Sequence, residues 1–467
     1  MTDHDLTMPL WTDLGGDAAT LEHLEITGPT AVLPSIYDVT GFAAATVGVA
    51  ALAVSELAAA RTGAAAPAAV TVDRLAASAS FWFEGLLTPV GWELPPIWDP
   101  VAGDYRSADG WIRLHTNYRH HLRAALAVLG TAADREAVAA EVARWKADEL
   151  EAAVVAAGGC AAALRTIDEW EAHPAGQATA HERPVVIGAP VPFSGGTGPD
   201  LSQPVGQLPL SGIRILDLTR VIAGPVATRY LAAYGADVLR IDPPGFDEVP
   251  ALLPESTAGK RCASLDLTDD GDRERFEGLV AQAHVVVGGL RPGAMAGLGY
   301  GPDGLRALNP SIVTVTHDAY GWRGPWAGRR GFDSLVQMST GIAAAGAEAA
   351  GADRPTPLPA QALDHGIGHL LAAATCRALV RQVRDGAAAD VRGSLVGASN
   401  VVKANPSFGP APAGGPSITA AELVPGATAW GAVRRVPLAG RIAGHRPSWP
   451  IDAGPLGRHP AEFTAHP

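Results

Sequence analysis

With 467 residues the chain is too long for one ordinary hydrophobic core, so two or three domains are expected. A formal charge of −13 and a pI near 5.5 argue against a nucleic-acid or anionic-membrane partner, because no basic stripe exists to release counterions. Three widely spaced cysteines, Cys160, Cys262 and Cys376, make no metal-ligand pattern and fit free thiols in a reducing compartment. The start, MTDHDLTMPLWTDLGG, lacks the basic-then-apolar order of a secretory signal, and the alanine-rich stretch Phe42 to Val54 is too short or too weakly apolar to span a bilayer. A soluble, cytoplasmic protein is expected.

In chain order, Tyr37 to Arg61 reads as a small-residue helix closed by Gly63, followed by a strand at Val70 to Val72 and a helix to about Leu87. Asp109-Gly110 turns a hairpin between Tyr105-Arg-Ser and Trp111 to His115. Helices at Tyr118 to Leu129, Asp134 to Arg144 and Ala147 to Ala157 complete a small α+β module. The proline- and glycine-rich stretch 184–209 reads as a linker between a first half, 1–183, and a second half that begins at 210.

The segment Ile213 to Gly235, IRILDLTRVIAGPVATRYLAAYG, then reads as a strand buried on both faces, a tight turn and a helix opening at Gly224-Pro225. Ala236 to Ile241 supplies the next strand, and the helix start turns unpaired amides toward whatever binds, which suits an anion such as a pyrophosphate. Strands at Cys262 to Leu267, His284 to Val287 and Ser311 to Thr316 alternate with helices at Asp269 to Ala283, after Arg291-Pro292-Gly293 and at Gly304 to Leu308. The expected class is therefore α/β, a Rossmann-like, mostly parallel sheet with flanking helices over 210–400, plus the smaller module and a proline- and glycine-rich tail over 401–467. A weak internal repeat relates Tyr37 to Gly63 with Leu363 to Gly386. Aligned without gaps on those closing glycines, Gly41 falls at the place of Asp364, and Asp38 lies a turn earlier.

Five ordered motifs carry a resemblance to a known family. They are LDLTRVIAGPVATRYLAAYGADVLRID (Leu216 to Asp242), GKRCASLDL (Gly259 to Leu267), VVVGGLRPGAMAGLG (Val285 to Gly299), the stretch Asn309 to Gly341 containing GRRGFDSLVQMSTG, and the helix of Asp364. Together they resemble the family III CoA-transferases, which include formyl-CoA and carnitine CoA-transferases and the related α-methylacyl-CoA racemases. The first half is similar to the later part of the same family, through DYRSADGWIRLH and Ala161 to Trp170. The usual order is thus reversed, as if the back of one subunit preceded the front of another, with no second nucleotide-type domain. Whether such a chain works as a pseudo-dimeric monomer or pairs again as a homodimer is left open.

The resemblance implies coenzyme A as a substrate, an acyl-CoA and a free carboxylic acid as partners, and no metal. It assigns Asp364 as the nucleophile that attacks the thioester carbonyl. Its place in the first turn of a helix is expected to keep the carboxylate ionised, and Gly366 and Gly368 are expected to leave room for the thioester; the plain alternative is a helix cap. By motif position Val221, Ile222 and Ala223 line the CoA groove, Lys260 and Arg261 sit near the phosphates, and Gly289, Leu290 and Arg291 form the next loop. Arg220, Arg240 and Arg261 read otherwise as ordinary solvated charges, which makes Lys260 the preferred cation. Relatives often carry Asn-Phe at Gly289-Leu290 and Glu at Asp242, so adenine and ribose contacts are expected to differ. The family's glycine-rich lid has no clear counterpart; Gly409 to Gly415 is a weak candidate for it, more simply read as linker.

Three other readings compete. A racemase needs an acid/base pair and a histidine just before the aspartate of Gly331-Phe332-Asp333, where Phe332 cannot move a proton, although His317, His365 and His369 lie near in sequence. A non-catalytic CoA-binding protein fits the incomplete halves. A nicotinamide enzyme fits worst, because Thr219 to Gly224 lacks the three-glycine fingerprint. His115, His120 and His121 fit no metal spacing and read as a solvated hairpin-helix junction. Small residues between Ala343 and Ala350 suggest room for an acyl group larger than formyl.

Overall fold

The computed structural model describes residues 6–193, 201, 206–289, 293–407 and 422–464. Its centre is a seven-stranded sheet built from β1 (Val185–Ile187), β2 (Arg214–Leu218), β3 (Asp237–Asp242), β4 (Lys260–Ser264), β5 (Val285–Gly288), β6 (Val313–Asp318) and β7 (Asp390–Ser394). The spatial order is β4-β3-β2-β5-β6-β7-β1, parallel except for the last pair. Strand β2 lies between β3 and β5, so the connections leaving its two sides run in opposite directions. The crevice at its carboxyl end is the usual ligand position of such sheets.

Two sequence expectations need correction here. The stretch 184–209 is not only a linker, because Val185–Ile187 closes the sheet as an antiparallel edge and Val191–Pro192 pairs with Ala387–Ala388. The stretch 401–467 is not a free tail: Val424–Thr428 and Gly431–Arg435 form a sheet with Thr88–Val90, and Arg441–Ile442 pairs with Val70–Asp73. Farther along, Gly259 N donates to Ile451 O (2.8 Å) and the Trp449 ring lies 3.8 Å from the Arg229 guanidinium. The helix expected up to Leu87 is broken into Arg74–Ser80 and Phe83–Leu86.

Five helices position the site: α1 (Val39–Thr62), α2 (Arg119–Leu129), α3 (Ala223–Ala233), α4 (Asp333–Ser339) and α5 (Ala362–Asp385). The internal repeat is α1 and α5, two helices of 24 residues that each end on a glycine in the left-handed region, Gly63 at φ 69° and Gly386 at φ 63°. Helix α1 is long and apolar enough to cross a bilayer, with a mean hydropathy of 1.8, more than the sequence reading allowed. Here it is buried, because it packs along α5, where Arg377 pairs with Glu56. The strand after α5 joins the main sheet, whereas the strand after α1, Val70–Asp73, joins a three-stranded sheet with Leu24–Thr27 and Arg441–Ile442.

The small module pairs Gly103–Arg106, Trp111–Leu114 and Ala161–Ala163 in an antiparallel sheet. It has its own core, in which Ile112, Leu114, Val138, Leu150 and Val154 are fully buried.

Gly366 and Gly368 correct a further expectation: they make room for helices. A Cβ on Gly366 would stand 2.3 Å from Phe42 of α1, and one on Gly368 would stand 2.6 Å from Val226 and 2.7 Å from the Ala223 carbonyl of α3. The close approach seats α3, and the turn before it, against the start of α5. Gly368→Ala is therefore expected to destabilise the protein by about 1–3 kcal/mol through overpacking against backbone. Gly297→Ala, where nothing lies within 4 Å, should stay within ~0.5 kcal/mol. Thermal melting of both variants tests this.

Candidate active site

A cleft of about 280 Å³ opens at the carboxyl end of β2, and its wall contains Asp364 together with Val221, Ile222, Ala223 and Gly289. Of the residues read from sequence, these five are brought together. The turn holding three of them is strained: Val221 has φ 63°, the only positive φ of a non-glycine residue among those described, and it is β-branched. Gly289 must be glycine, since a Cβ there would lie 2.3 Å from the His317 ring. Leu290 and Arg291 lie outside the described residues, as does the stretch Gly409 to Gly415.

Lys260 and Arg261 are not in the cleft. Lys260 is fully buried beneath the turn, where its Nζ donates to Asp217 Oδ2 (2.9 Å) and to the Pro225 carbonyl (3.2 Å). Asp217 also accepts from the hydroxyls of Thr219 (2.5 Å) and Thr228 (2.6 Å). Burial alone would raise Asp217, but Lys260, Arg240 and these donors outweigh it and hold the carboxyl below its usual range. Arg261 is spent on Asp237 and Thr464. A strand alternates its faces, so the motif GKR sent one cation under the sheet and the other to the edge, and neither to a phosphate.

The reading of Arg220 and Arg240 as solvated is likewise corrected. Arg240 is fully buried and bridges Asp242 (2.9 Å) and Glu248 (3.0 Å). Arg220 lines the cleft, pairs with Asp242 (2.9 Å) and lies 4.3 Å from the Phe246 ring. Asp242 is fully committed to these two guanidinium groups and is not free for a ribose.

The remaining wall comes from parts of the chain that no local pattern linked to the site. Tyr118, just before α2, and His120 and His121 of α2 share the cleft wall with Arg329, Arg330 and Phe332. His115 and His121 are buried, not solvated; His115 stacks on Phe332 at 3.7 Å, and burial drops His121 to about 3. Arg329 is tied to Glu151 (2.9 Å). Arg330 donates to the Gly158 carbonyl (3.2 Å) and makes no carboxylate pair among the described residues, which leaves it as the cation suited to an anionic ligand. The small residues near Ala343 do not enlarge this cleft: Gly346, Ala349 and Ala350 line a separate cavity beside Tyr37.

Asp318 is the other carboxyl in the cleft wall, pushed up to about 7 by burial, and behind Asp364 lies Asp333, fully buried at the start of α4 and outside that wall. Its Oδ2 accepts from the Asp364 amide (3.0 Å), and Oδ1 accepts from Gln337 Nε2. Burial raises Asp333 to about 6 even though those donors favour its anion. Asp364 is raised much further, by burial first, then by the charges of Asp333 and Glu84. It therefore holds the pair's proton, so the expectation that the helix dipole keeps it ionised is corrected. Glu84, from the first half, pairs with His365 Nε2 at 3.1 Å. The motif Gly331-Phe332-Asp333 was visible in the sequence; that Asp333 would meet Asp364 was not.

Against this geometry, comparison with known proteins is informative. Residues 210–415 match the family described as CoA-transferase family III. This part of the chain is similar to CoA-transferase family III. A probable fatty acyl-CoA transferase of Mycobacterium tuberculosis is 33% identical over 210 residues, covering 42% of this chain and 53% of that protein. The acetyl-CoA:oxalate CoA-transferase of Acetobacter aceti is 33% identical over 145 residues, covering 29% of this chain and 37% of that protein. The crystal structure of the mycobacterial protein aligns with a TM-score of 0.39 at 33% identity, over 42% of this chain and 56% of that one. The chain thus spans about half, or less, of the relatives it matches.

The burial of Lys260 and Asp364 has two measurable consequences. Lys260→Met strands a buried Asp217 and is expected to cost ~3–5 kcal/mol of stability in denaturant unfolding, a loss that a phosphate-binding surface lysine would not show. Asp364 has a raised folded pKa, so its favourable contribution is complete in acid and is lost as pH rises through that value. Asp364→Asn should accordingly raise Tm relative to the parent by at least ~2 °C at pH 8, with the gain shrinking toward pH 5.

Proposed function

We propose that the protein transfers coenzyme A between an acyl-CoA thioester and a free carboxylic acid, with Asp364 as the nucleophile. The observation that carries this reading is the position of the Asp364 carboxyl in the wall of the same cleft as the strained Val221–Ala223 turn. Acyl-CoA lies along that turn, with Arg330 available to its anionic part. An Asp364 oxygen attacks the thioester carbonyl carbon, the C–S bond breaks, and the electron pair leaves on sulfur as the CoA thiolate, giving an acyl-aspartyl anhydride. The thiolate then attacks the aspartyl carbonyl, expelling the first acid and forming an aspartyl thioester. The acceptor carboxylate attacks the aspartyl thioester carbonyl, expelling the thiolate and forming a second anhydride; the thiolate then attacks the acyl carbonyl of that anhydride, which forms the new acyl-CoA and releases the Asp364 carboxylate.

Asp333 is assigned to positioning, through the Asp364 amide, and to the like charge that holds the nucleophile's proton until a ligand enters. Walls from both halves surround one nucleophile, which supports a pseudo-dimeric monomer as the working unit. Phe332, stacked on His115, offers no proton where a racemase requires one, which favours transfer over racemisation.

Incubation with an acyl-CoA should give hydroxylamine-sensitive labelling of the peptide containing Asp364, detected by mass spectrometry and abolished by Asp364→Ala. Label confined to any other residue, or CoA binding without label across a panel of donors, would overturn the proposal. Since the anion attacks and Asp364 is raised by burial, the labelling rate should climb with pH through a range well above that of an ordinary carboxylate and fall toward acid. Asp333→Asn removes a raising charge and should move that decline to lower pH.

A further inference from the structure

The Val221 backbone is held in a conformation that a β-branched residue avoids, so something in the surroundings must fix it. The Val221 amide donates to Glu248 Oε2 at 3.2 Å, and the same oxygen accepts from Arg240 at 3.0 Å. The other oxygen, Oε1, accepts from the Val249 amide at 3.0 Å and from the Tyr118 hydroxyl at 2.7 Å. Tyr118 and Glu248 are both buried, and Tyr118 comes from the first half of the chain, 130 residues away in sequence. One carboxylate therefore joins the small module, the arginine under the sheet and the strained turn.

We propose that Tyr118 is a positioning residue for the Val221–Ala223 turn, acting through Glu248, so that the first half of the chain holds the substrate-binding turn of the second half in place. This rests on the reading of that turn as the element along which acyl-CoA lies. The Tyr118 ring packs among His121, Phe246 and Phe332, contacts that phenylalanine would reproduce. Only the hydroxyl reaches Glu248, so its role separates cleanly from packing. With the hydroxyl removed, Glu248 Oε1 keeps only the Val249 amide while Oε2 keeps Arg240, so the carboxylate can turn toward Arg240 and loosen its hold on the Val221 amide.

The test is hydrogen–deuterium exchange on the full chain without substrate, comparing the parent with Tyr118→Phe. Exchange in the peptide spanning 219–226 is expected to accelerate at least about fivefold, while the 103–163 module and the melting temperature stay close to the parent. Glu248→Gln, which keeps the side chain's length and removes its charge, should give the same local pattern. Arg119→Ala breaks the neighbouring exposed pair Arg119–Asp247 (2.7 Å) and should leave the turn's exchange unchanged. Parental exchange of the turn in Tyr118→Phe, or equal acceleration in Arg119→Ala, overturns the proposal. These readouts need no CoA chemistry, so they stand apart from the proposed reaction. Where turnover is measured, Tyr118→Phe should raise KM for acyl-CoA about fivefold with a smaller change in kcat.

Discussion

The contact between α5 and α3 at Gly368 is the constraint on which the site depends. Asp364 is chemically ordinary until α3 comes close enough to place the Val221–Ala223 turn beside it, and only a residue without a side chain permits that approach. The same helix meets α1 through Gly366, so α5 is gripped on two sides within one turn. Close packing then turns a sequence position into a position in space, and where the Asp364 carboxyl stands is set by two absent methyl groups.

Charge is distributed to the same end. The cations that the sequence motifs offered, Lys260, Arg261 and Arg240, are absorbed by Asp217, Asp237, Asp242 and Glu248. Such buried pairs contribute little net stability, but they fix which way the turn faces and leave few free charges to compete for a ligand. The cleft is left with a buried carboxyl that carries its proton and an arginine without a carboxylate partner among the described residues. Holding Asp364 near Asp333 and Glu84 works against the folded state at neutral pH, a cost of the kind found at sites arranged for reaction.

Local pattern made the sheet strands, the hairpin, the Gly63 and Gly386 caps and the β2–α3 turn legible, because each rests on residues close in sequence. The helix-like, alanine-rich repeat was legible too, and it is the pair at the centre of the core. What stayed hidden is non-local. Nothing around Val185 announces an edge strand for a sheet completed two hundred residues later, and Tyr118, His121 and Glu248 carry no motif that ties them to Asp364. Lys260 was misplaced for a related reason, since a motif gives the residue but not the face of the strand. Asp333 lay inside a recognised stretch, yet its role depends on where the start of α5 falls.

The two copies of the repeated helix show why only one of them presents a carboxyl to the cleft. In α1 the cap residue Asp38 folds back to accept the Gly41 amide at 2.7 Å, and a Cβ on Gly41 would strike its carboxylate at 2.0 Å. The cap therefore fills the space that a side chain at that position needs. In α5 the cap residue is Gln361, whose side chain makes no capping bond, and the corresponding amide, that of Asp364, is satisfied by Asp333 reaching across from α4. Supplying the cap from another helix clears the third position of α5 for a side chain that points into the cleft. The like charge that comes with such a cap adds to burial in favouring the proton on Asp364. A helix start satisfied by its own aspartate is stable and inert, whereas one satisfied from outside is free to present a carboxyl to a ligand.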